Sequence, residues 1–385
     1  MAVRYDLLVQ NGEVIDPGQS LRGRYDVAVR GGKIAAVAPH ISPATAAQVI
    51  DATGLYVTPG LVDIHAHVYV GTTRLAIEAD ALASRSGTTT MVDCGSTGAA
   101  TFAGFRRFIA EPATCRLLSF LNISVLGLVV ETECAYGPYV DVRQAVETIE
   151  ANRDLIVGIK VRAGGGAAGD DPVHAVALAK EAAIDAQVPV IVHIAPPPPP
   201  LRNTLGALER GDIVTHSFRG PGTRLLDGAG RLRPETVAAR ERGVLFDIGH
   251  GVGSFSWQSA EQLLALDFPP DTISTDIHQA NINGPVYDLP TTLSKLLNLG
   301  MSLDDVIRCA TMRPAQAIRR DNEFGTLQVG MSADIAIFEL REGDFTFSDA
   351  LGEERHYPQK LATRQTIRSG RPLTPAANGD AARAA

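Results

Sequence analysis

The chain has 385 residues, 45% of them hydrophobic and 20% charged, with a formal net charge of −8. That length suits one large barrel plus a smaller attached domain, or two to three ordinary domains, and the apolar fraction is enough for a large core. The acidic balance and the lack of a long basic stretch exclude a nucleic-acid partner, whose phosphates demand a positive footprint.

The longest apolar stretch, residues 117–130, is too short to span a bilayer and is interrupted by Ser119, Asn122 and Ser124. No membrane association is therefore expected. The opening MAVRYDLLVQNGEVIDP alternates polar and apolar residues without the basic and then apolar regions of a signal peptide. Cys94, Cys115, Cys134 and Cys309 are scattered without a CxxC spacing, which fits free thiols in a reducing cytoplasm.

In chain order, residues 5–10, 12–16, 25–30 and 33–38 read as short strands punctuated by Gly and Asp. Strand-like alternation returns at residues 334–340 and 365–368. Both ends are expected to combine into one small β-sandwich domain, 1–57 with 326–372, followed by a frayed Ala-rich tail over 373–385. Between them, strands are expected at 61–67, 88–93, 117–130, 156–162, 188–194, 212–217, 244–248 and 271–276. Helices are expected at 73–86, 142–152, 173–187, 234–242, 257–266 and 291–299. Eight strands alternating with helices is the pattern of an α/β (β/α)₈ TIM barrel over 58–325. No GxGxxG follows the first strand to support an open doubly wound sheet. The proline run at 196–200 reads as a stiff loop.

Strand side chains alternate between faces. In residues 61–67, Val62, Ile64 and Ala66 are expected to pack on helices, leaving Asp63, His65 and His67 pointing inward. The same phasing puts Lys160 and Arg162, then His193, inward. It places His216 on the face of Val214 and Asp212, and Ser274 with Asp276 inward. Any one of these histidines is more simply a satisfied structural residue. Six such groups at the C-terminal rim, namely His65, His67, Lys160, His193, His216 and Asp276, instead supply nitrogen and oxygen ligands for two divalent cations, with zinc the first expectation. An inward lysine is costly unless paired or neutralised. A neutral Lys160 that reacts with carbon dioxide becomes a carbamate with one oxygen for each metal; the other reading is an ordinary lysine paired with Asp276.

The segments VTPGLVDIHAHV, GIKVR, VIVHI, DIVTHSF and STDIH resemble the amidohydrolase superfamily with a carboxylated lysine. NGEVIDP and VIDATGLYVTPGL near one end, with FGTLQVGMSADIAIFEL near the other, look like its flanking β-domain. The fuller pattern, with HGVGSFS and STDIHQANINGPVYDLP, is most similar to a dihydroorotase-like amidohydrolase/deacetylase branch, similar to enzymes that hydrolyse acetylated α-hydroxy acids. The final loop departs from dihydroorotase proper. The resemblance implies that His65, His67 and Asp276 bind the more buried metal, that His193 and His216 bind the more exposed one, and that carboxylated Lys160 bridges them. A bridging water then loses its proton near neutral pH, the hydroxide attacks an acyl carbonyl, and Asp276 shuttles the proton.

Arg162 is a candidate anchor for a substrate carboxylate, or else the partner of a loop acid such as Asp170 or Glu131. His250, His278 and Asn283 are further candidates for small-molecule substrate contacts, each equally readable as structural. The expected activity is a deacetylase-type hydrolysis of a small acylated carboxylic acid. The alternatives are a cyclic amide hydrolase and a non-catalytic barrel scaffold. A homo-oligomer is compatible with the sequence.

Overall fold

The computed structural model describes residues 3–374. Seven strands lie side by side in chain order: β1 (Leu61–Ala66), β2 (Thr88–Gly98), β3 (Arg116–Asn122), β4 (Ile156–Ala163), β5 (Val190–Ile194), β6 (Ile213–Thr215) and β7 (Leu245–Phe246). Every adjacent pair is parallel. Residues 271–277 close the ring through parallel bridges from Thr272 to Asp247 and from Ile277 to Ala66. A parallel sheet in consecutive order that returns to its first strand is a TIM-barrel-like α/β fold.

The closing segment is the expected eighth strand in reduced form. Ile273 donates its N–H to Cys309 O rather than to a neighbouring strand, and Asp276 has a left-handed backbone (φ 50°) that ends any extended run. The expected strand over 117–130 stops at Asn122. The Asn122 side chain donates to Gly95 O and accepts from the Ser124 N–H, turning the chain away. The expected helix over 73–86 begins only at Ala79. Residues before it are tied to the barrel instead, with the Ile77 N–H donating to His67 O.

Burial on both faces explains the near-continuous apolar run of strands such as Val190–Ile194. Outside them, the helix Pro172–Asp185 is capped by Asp171, whose side chain accepts from the His174 N–H. Its buried Ala175, Val176, Ala179, Ala182 and Ala183 follow helical spacing and join the main core. The lower lumen is filled by apolar side chains. Val62, Ile64, Val92, Leu118, Phe120 and Ile191 form one cluster there with Ala315, Ile318 and Phe324. The helix Met312–Ala317, absent from the sequence reading, thus lies against the lumen cluster. Polar residues are left to the opposite rim.

The chain ends form a four-stranded and a six-stranded sheet. They share a core in which Leu7, Val9 and Val29 meet Val14, Ile335, Ile337 and Ile367. Strands Leu21–Arg24, Ala46–Asp51 and Tyr56–Pro59 were not expected from sequence. The segments expected at 334–340 and 365–368 are parts of a long hairpin, Ile335–Ser348 and Glu354–Arg368, whose distal half lacks a clean alternation. Of the tail expected over 373–385, residues 375–385 lie outside the described residues; Leu373 donates its N–H to Thr366 O.

The hairpin docks on the barrel through a buried lysine. Lys295 Nζ donates to Ser348 O (2.7 Å), to Pro285 O (2.9 Å) and to His250 Nε2 (2.7 Å). Burial pushes its ammonium down from 10.5 to about 7. Between those values the unfolded chain holds a proton that the folded chain lacks, so this group makes stability rise with pH from about 7 to 10.5. Replacing Lys295 with Met is expected to remove up to about 1.4 kcal/mol per pH unit of that slope. Denaturant unfolding of both proteins between neutral and alkaline pH measures it, and equal slopes would contradict the assignment.

Candidate active site

The histidines of β1 reach the lumen because the strand changes phase. Val62 pairs with Thr90 and Asp63 with Met91, but Ala66 pairs with Asp93, so an irregularity sits between Asp63 and Ala66. The alternation expected from sequence is corrected here: Val62 and Ile64 face the lumen cluster below, and the irregularity lets His65 and His67 face inward above it. Asp63 turns away from the cavity, accepting from the Thr275 N–H and hydroxyl. Burial raises its carboxyl to about 7.

His216 is also reached differently from the expectation. β6 ends at Thr215, and His216 follows with a left-handed backbone (φ 70°) that turns its ring into the lumen rather than keeping it on the face of Val214. Gly249 is needed beside it: a Cβ there would sit 2.1 Å from Thr215 Oγ1. Two non-glycine residues with positive φ at one rim, His216 and Asp276, are strain of the kind that concentrates at functional sites.

The six expected residues converge. Asp276 Oδ1 lies 3.2 Å from His65 Nε2 and 3.1 Å from His67 Nε2. His216 Nε2 faces His193 Nδ1 at 2.8 Å. Lys160 Nζ, on a side chain only 2% exposed, lies 3.2 Å from His65 Nε2 and 3.1 Å from Cys94 Sγ. Ligand atoms of His65, His216 and Asp276 lie within 4.8 Å of one another, a geometry able to hold a metal ion. Burial pushes His65 and His193 well below the usual imidazole range and takes His216 to about 3. Burial works against the charge of Asp276, but the facing His65 and His67 rings hold it well below the usual carboxylate range.

Hydrogen bonds behind the rings fix their tautomers. His216 Nδ1 meets Gly249 O at 2.7 Å, and a carbonyl only accepts, so Nδ1 carries the proton. Thr215 Oγ1 donates its one hydrogen to Asp247 Oδ2 (2.7 Å) and must accept from His65 Nδ1 (3.0 Å). Both rings therefore present an Nε2 lone pair to the cavity. Asp247 also accepts from Thr272 and Ser274, and burial raises it to about 6. Ser96 Oγ lies 2.9 Å from His67 Nδ1. Sequence reasoning missed Thr215, Asp247 and Ser96, although Thr215 ends a strand that the phase test covered and Asp247 follows a strand that was expected but not phased.

The cavity above these groups has a volume of about 300 Å³. His278 and Arg162 line it, as expected. Arg162 is already engaged: its guanidinium meets the fully buried Glu133 in a two-point pair at 2.7 and 2.6 Å and donates to Glu131 O. That corrects its expected role as a free carboxylate anchor, and its partner is Glu133 rather than the Asp170 or Glu131 carboxylate. His250, expected as a substrate contact, does not line the cavity. It is fully buried behind the site, stacked on Phe255 at 4.7 Å and held by Lys295. Asn283 is exposed, outside the cavity lining; Asn281 is the structural asparagine here, donating to Asp276 O at 2.7 Å. Arg219 lines the cavity without having been expected.

A barrel rim with converging imidazoles and a carboxylate defines a metal-dependent hydrolase, and the comparisons agree. Sequence models of the Amidohydrolase family match residues 48–100 and 256–374. A deacetylase of Agrobacterium fabrum is 38% identical over 350 residues, covering 89% of this chain and 85% of that protein. A deacetylase of Enterococcus faecalis is 34% identical, covering 95% and 98%. A solved structure described as an adenine deaminase superposes with a TM-score of 0.91 at 34% identity, covering 96% of this chain and 100% of that one. One described as a dihydroorotase gives 0.87 at 34%, covering 97% and 100%. This chain belongs to the amidohydrolase superfamily, in its dihydroorotase-like branch. Among the described residues no helix is long and apolar enough to cross a membrane.

Proposed function

We propose that the chain hydrolyses the acyl ester or amide bond of a small acylated carboxylic acid, using a pair of divalent cations, zinc in the first instance. The observation that carries this reading is the convergence of six rim side chains, with the His65 and His216 lone pairs fixed inward, beside a cavity of about 300 Å³. His65, His67 and Asp276 would hold one cation, His193 and His216 the other, and Lys160 as its carbamate would serve both. Support for the carbamate is that Lys160 Nζ has a ring nitrogen and a thiol beside it and, among the described residues, no carboxylate within 4 Å; a buried bare ammonium there is costly. When bound, such a pair of cations acidifies water and polarises an acyl carbonyl. Asp276 faces that space and is placed to take a proton and pass it to the leaving group. The two sheets built from the chain ends would make one β-sandwich domain, 1–57 with 326–372, flanking a barrel of 58–325.

The deacetylase relatives favour acyl cleavage, and the dihydroorotase likeness keeps ring-opening of a cyclic amide as the second reading. A panel of O-acetyl hydroxy acids, N-acetyl amino acids and cyclic ureides, assayed with metal-loaded protein, separates them. Ester or amide cleavage is the expected result, and fast ring-opening without ester cleavage would overturn it.

The hydrogen bonds behind His65 give a further expectation. Thr215→Val keeps the side-chain shape but removes both the acceptor for His65 Nδ1 and the donor to Asp247. Losing such an outer partner typically weakens metal binding about 10–100-fold. Competition against a chelator measures this, and unchanged affinity would show that Thr215 does not hold the ring.

A further inference from the structure

Among the described residues two lysines are buried, and only Lys160 lines the cavity. The other, Lys295, projects from the helix Leu289–Asn298 into the space between two rim loops and the hairpin. Its three acceptors, His250 Nε2, Pro285 O and Ser348 O, use all three hydrogens of a lysine ammonium. His250 can accept because its Nδ1 meets Gly251 O at 2.9 Å and so carries the ring proton. An apolar side chain would dock the hairpin without desolvating a charge, so a fully buried lysine at this junction calls for a role beyond packing.

Both rim loops run to Asp276. In the loop after β7, the Gly251 N–H donates to Thr275 O at 2.9 Å. A Cβ on Gly251 would stand 2.5 Å from Asp276 Oδ2, so this backbone is the wall behind that carboxylate oxygen. On the other side, the chain leaving Asp276 turns around Asn281. The Asn281 carbonyl accepts from the N–H groups of Gly284, Val286 and Tyr287, and its side chain donates to Asp276 O at 2.7 Å. Pro285 lies within that turn. The hairpin tip beside Ser348 is seated on the far end of the β7 loop: the Ala350 N–H donates to Phe255 O, and the buried Asp349 accepts from the Trp257 N–H.

We infer that Lys295 is a positioning residue for Asp276. Through His250 it fixes the wall behind the carboxylate, and through Pro285 it fixes the turn beneath the backbone, whose left-handed conformation needs such support. This inference rests on the proton-transfer role proposed for Asp276. It also ties the reaction to the sheets built from the chain ends, because the third bond of Lys295 goes to their hairpin.

The test measures kcat, KM and metal content for Lys295→Met, His250→Phe and His250→Gln beside wild type, on the best acylated substrate. Phe keeps the stack on Phe255 but offers no acceptor, whereas a Gln carbonyl can still accept from Lys295. K295M and H250F are expected to lose about 100-fold in kcat, the scale of a misplacement of about 1 Å at a reacting group, with KM and metal content unchanged. H250Q recovers most of that loss. A folded, metal-loaded K295M with wild-type kcat overturns the assignment, as does a loss that falls on KM or on metal content, or one shared equally by H250F and H250Q. If K295M does not fold, the H250F and H250Q pair decides. Amide hydrogen exchange needs no substrate: residues 249–256 and 281–287 are expected to exchange faster in H250F than in wild type, and unchanged protection refutes the clip. If metal-loaded wild type cleaves nothing in the panel, the acyl-hydrolase reading fails on its own and exchange alone decides Lys295.

Discussion

Asp276→Asn is expected to lower kcat on the best acylated substrate by about 10³-fold, within the span of a lost general acid–base. The fold should survive. Asn has the same shape, and the Asp276 backbone is held independently by Asn281 Nδ2, which donates to its carbonyl. What disappears is the basic oxygen that sits 3.1 Å from His67 and 3.2 Å from His65 at the cavity wall. Thermal melting and circular dichroism check the fold, metal analysis checks loading, and steady-state kinetics checks turnover. A loaded variant with wild-type kcat would remove Asp276 from proton transfer.

The second large effect is at Lys160. Lys160→Met is expected to lose most bound metal and to lower kcat/KM by more than about 10³-fold, because the several kcal/mol of charge stabilisation supplied by the cations would go with their shared ligand. The metal-free variant should nonetheless melt no lower than metal-free wild type. In the wild type the buried Lys160 Nζ has His65 Nε2 and Cys94 Sγ as hydrogen-bond partners and no salt bridge among the described residues, and replacing a buried amine so placed by an apolar chain removes a cost. Wild-type activity after reconstitution should depend on bicarbonate, and the variant should not respond to it. A K160M protein that keeps its metal and its turnover would contradict the bridging role.

The barrel was legible because strands buried on both faces read as apolar runs between amphipathic helices, and the six rim residues because polar groups broke those runs at their C-terminal ends. The failures came where the chain leaves regular geometry. Period-two phasing assigned Val62 and Ile64 to the wrong side because nothing in LVDIHA announces the irregularity between Asp63 and Ala66. It brought His216 inward for the wrong reason, since a left-handed backbone after Thr215, rather than strand alternation, turns the ring. The partner of Arg162 was misread by two residues because Glu131 and Glu133 share a loop with no periodic pattern to say which one is buried. His250 read as a candidate substrate contact, yet the neighbouring Gly249 and Gly251 let the backbone pass close behind Thr215 and Asp276 and leave the ring buried. Arg219 carried no sequence signal, because only three-dimensional packing shows that it lines the cavity.

Elemental analysis of the purified chain, expressed with added divalent metal and bicarbonate, tests the central claim most directly. Six side chains converging on a shared pair of cations predict close to two equivalents of divalent metal per chain, removable by chelator together with activity. A protein that is folded, freshly prepared and essentially metal-free under those conditions would contradict it.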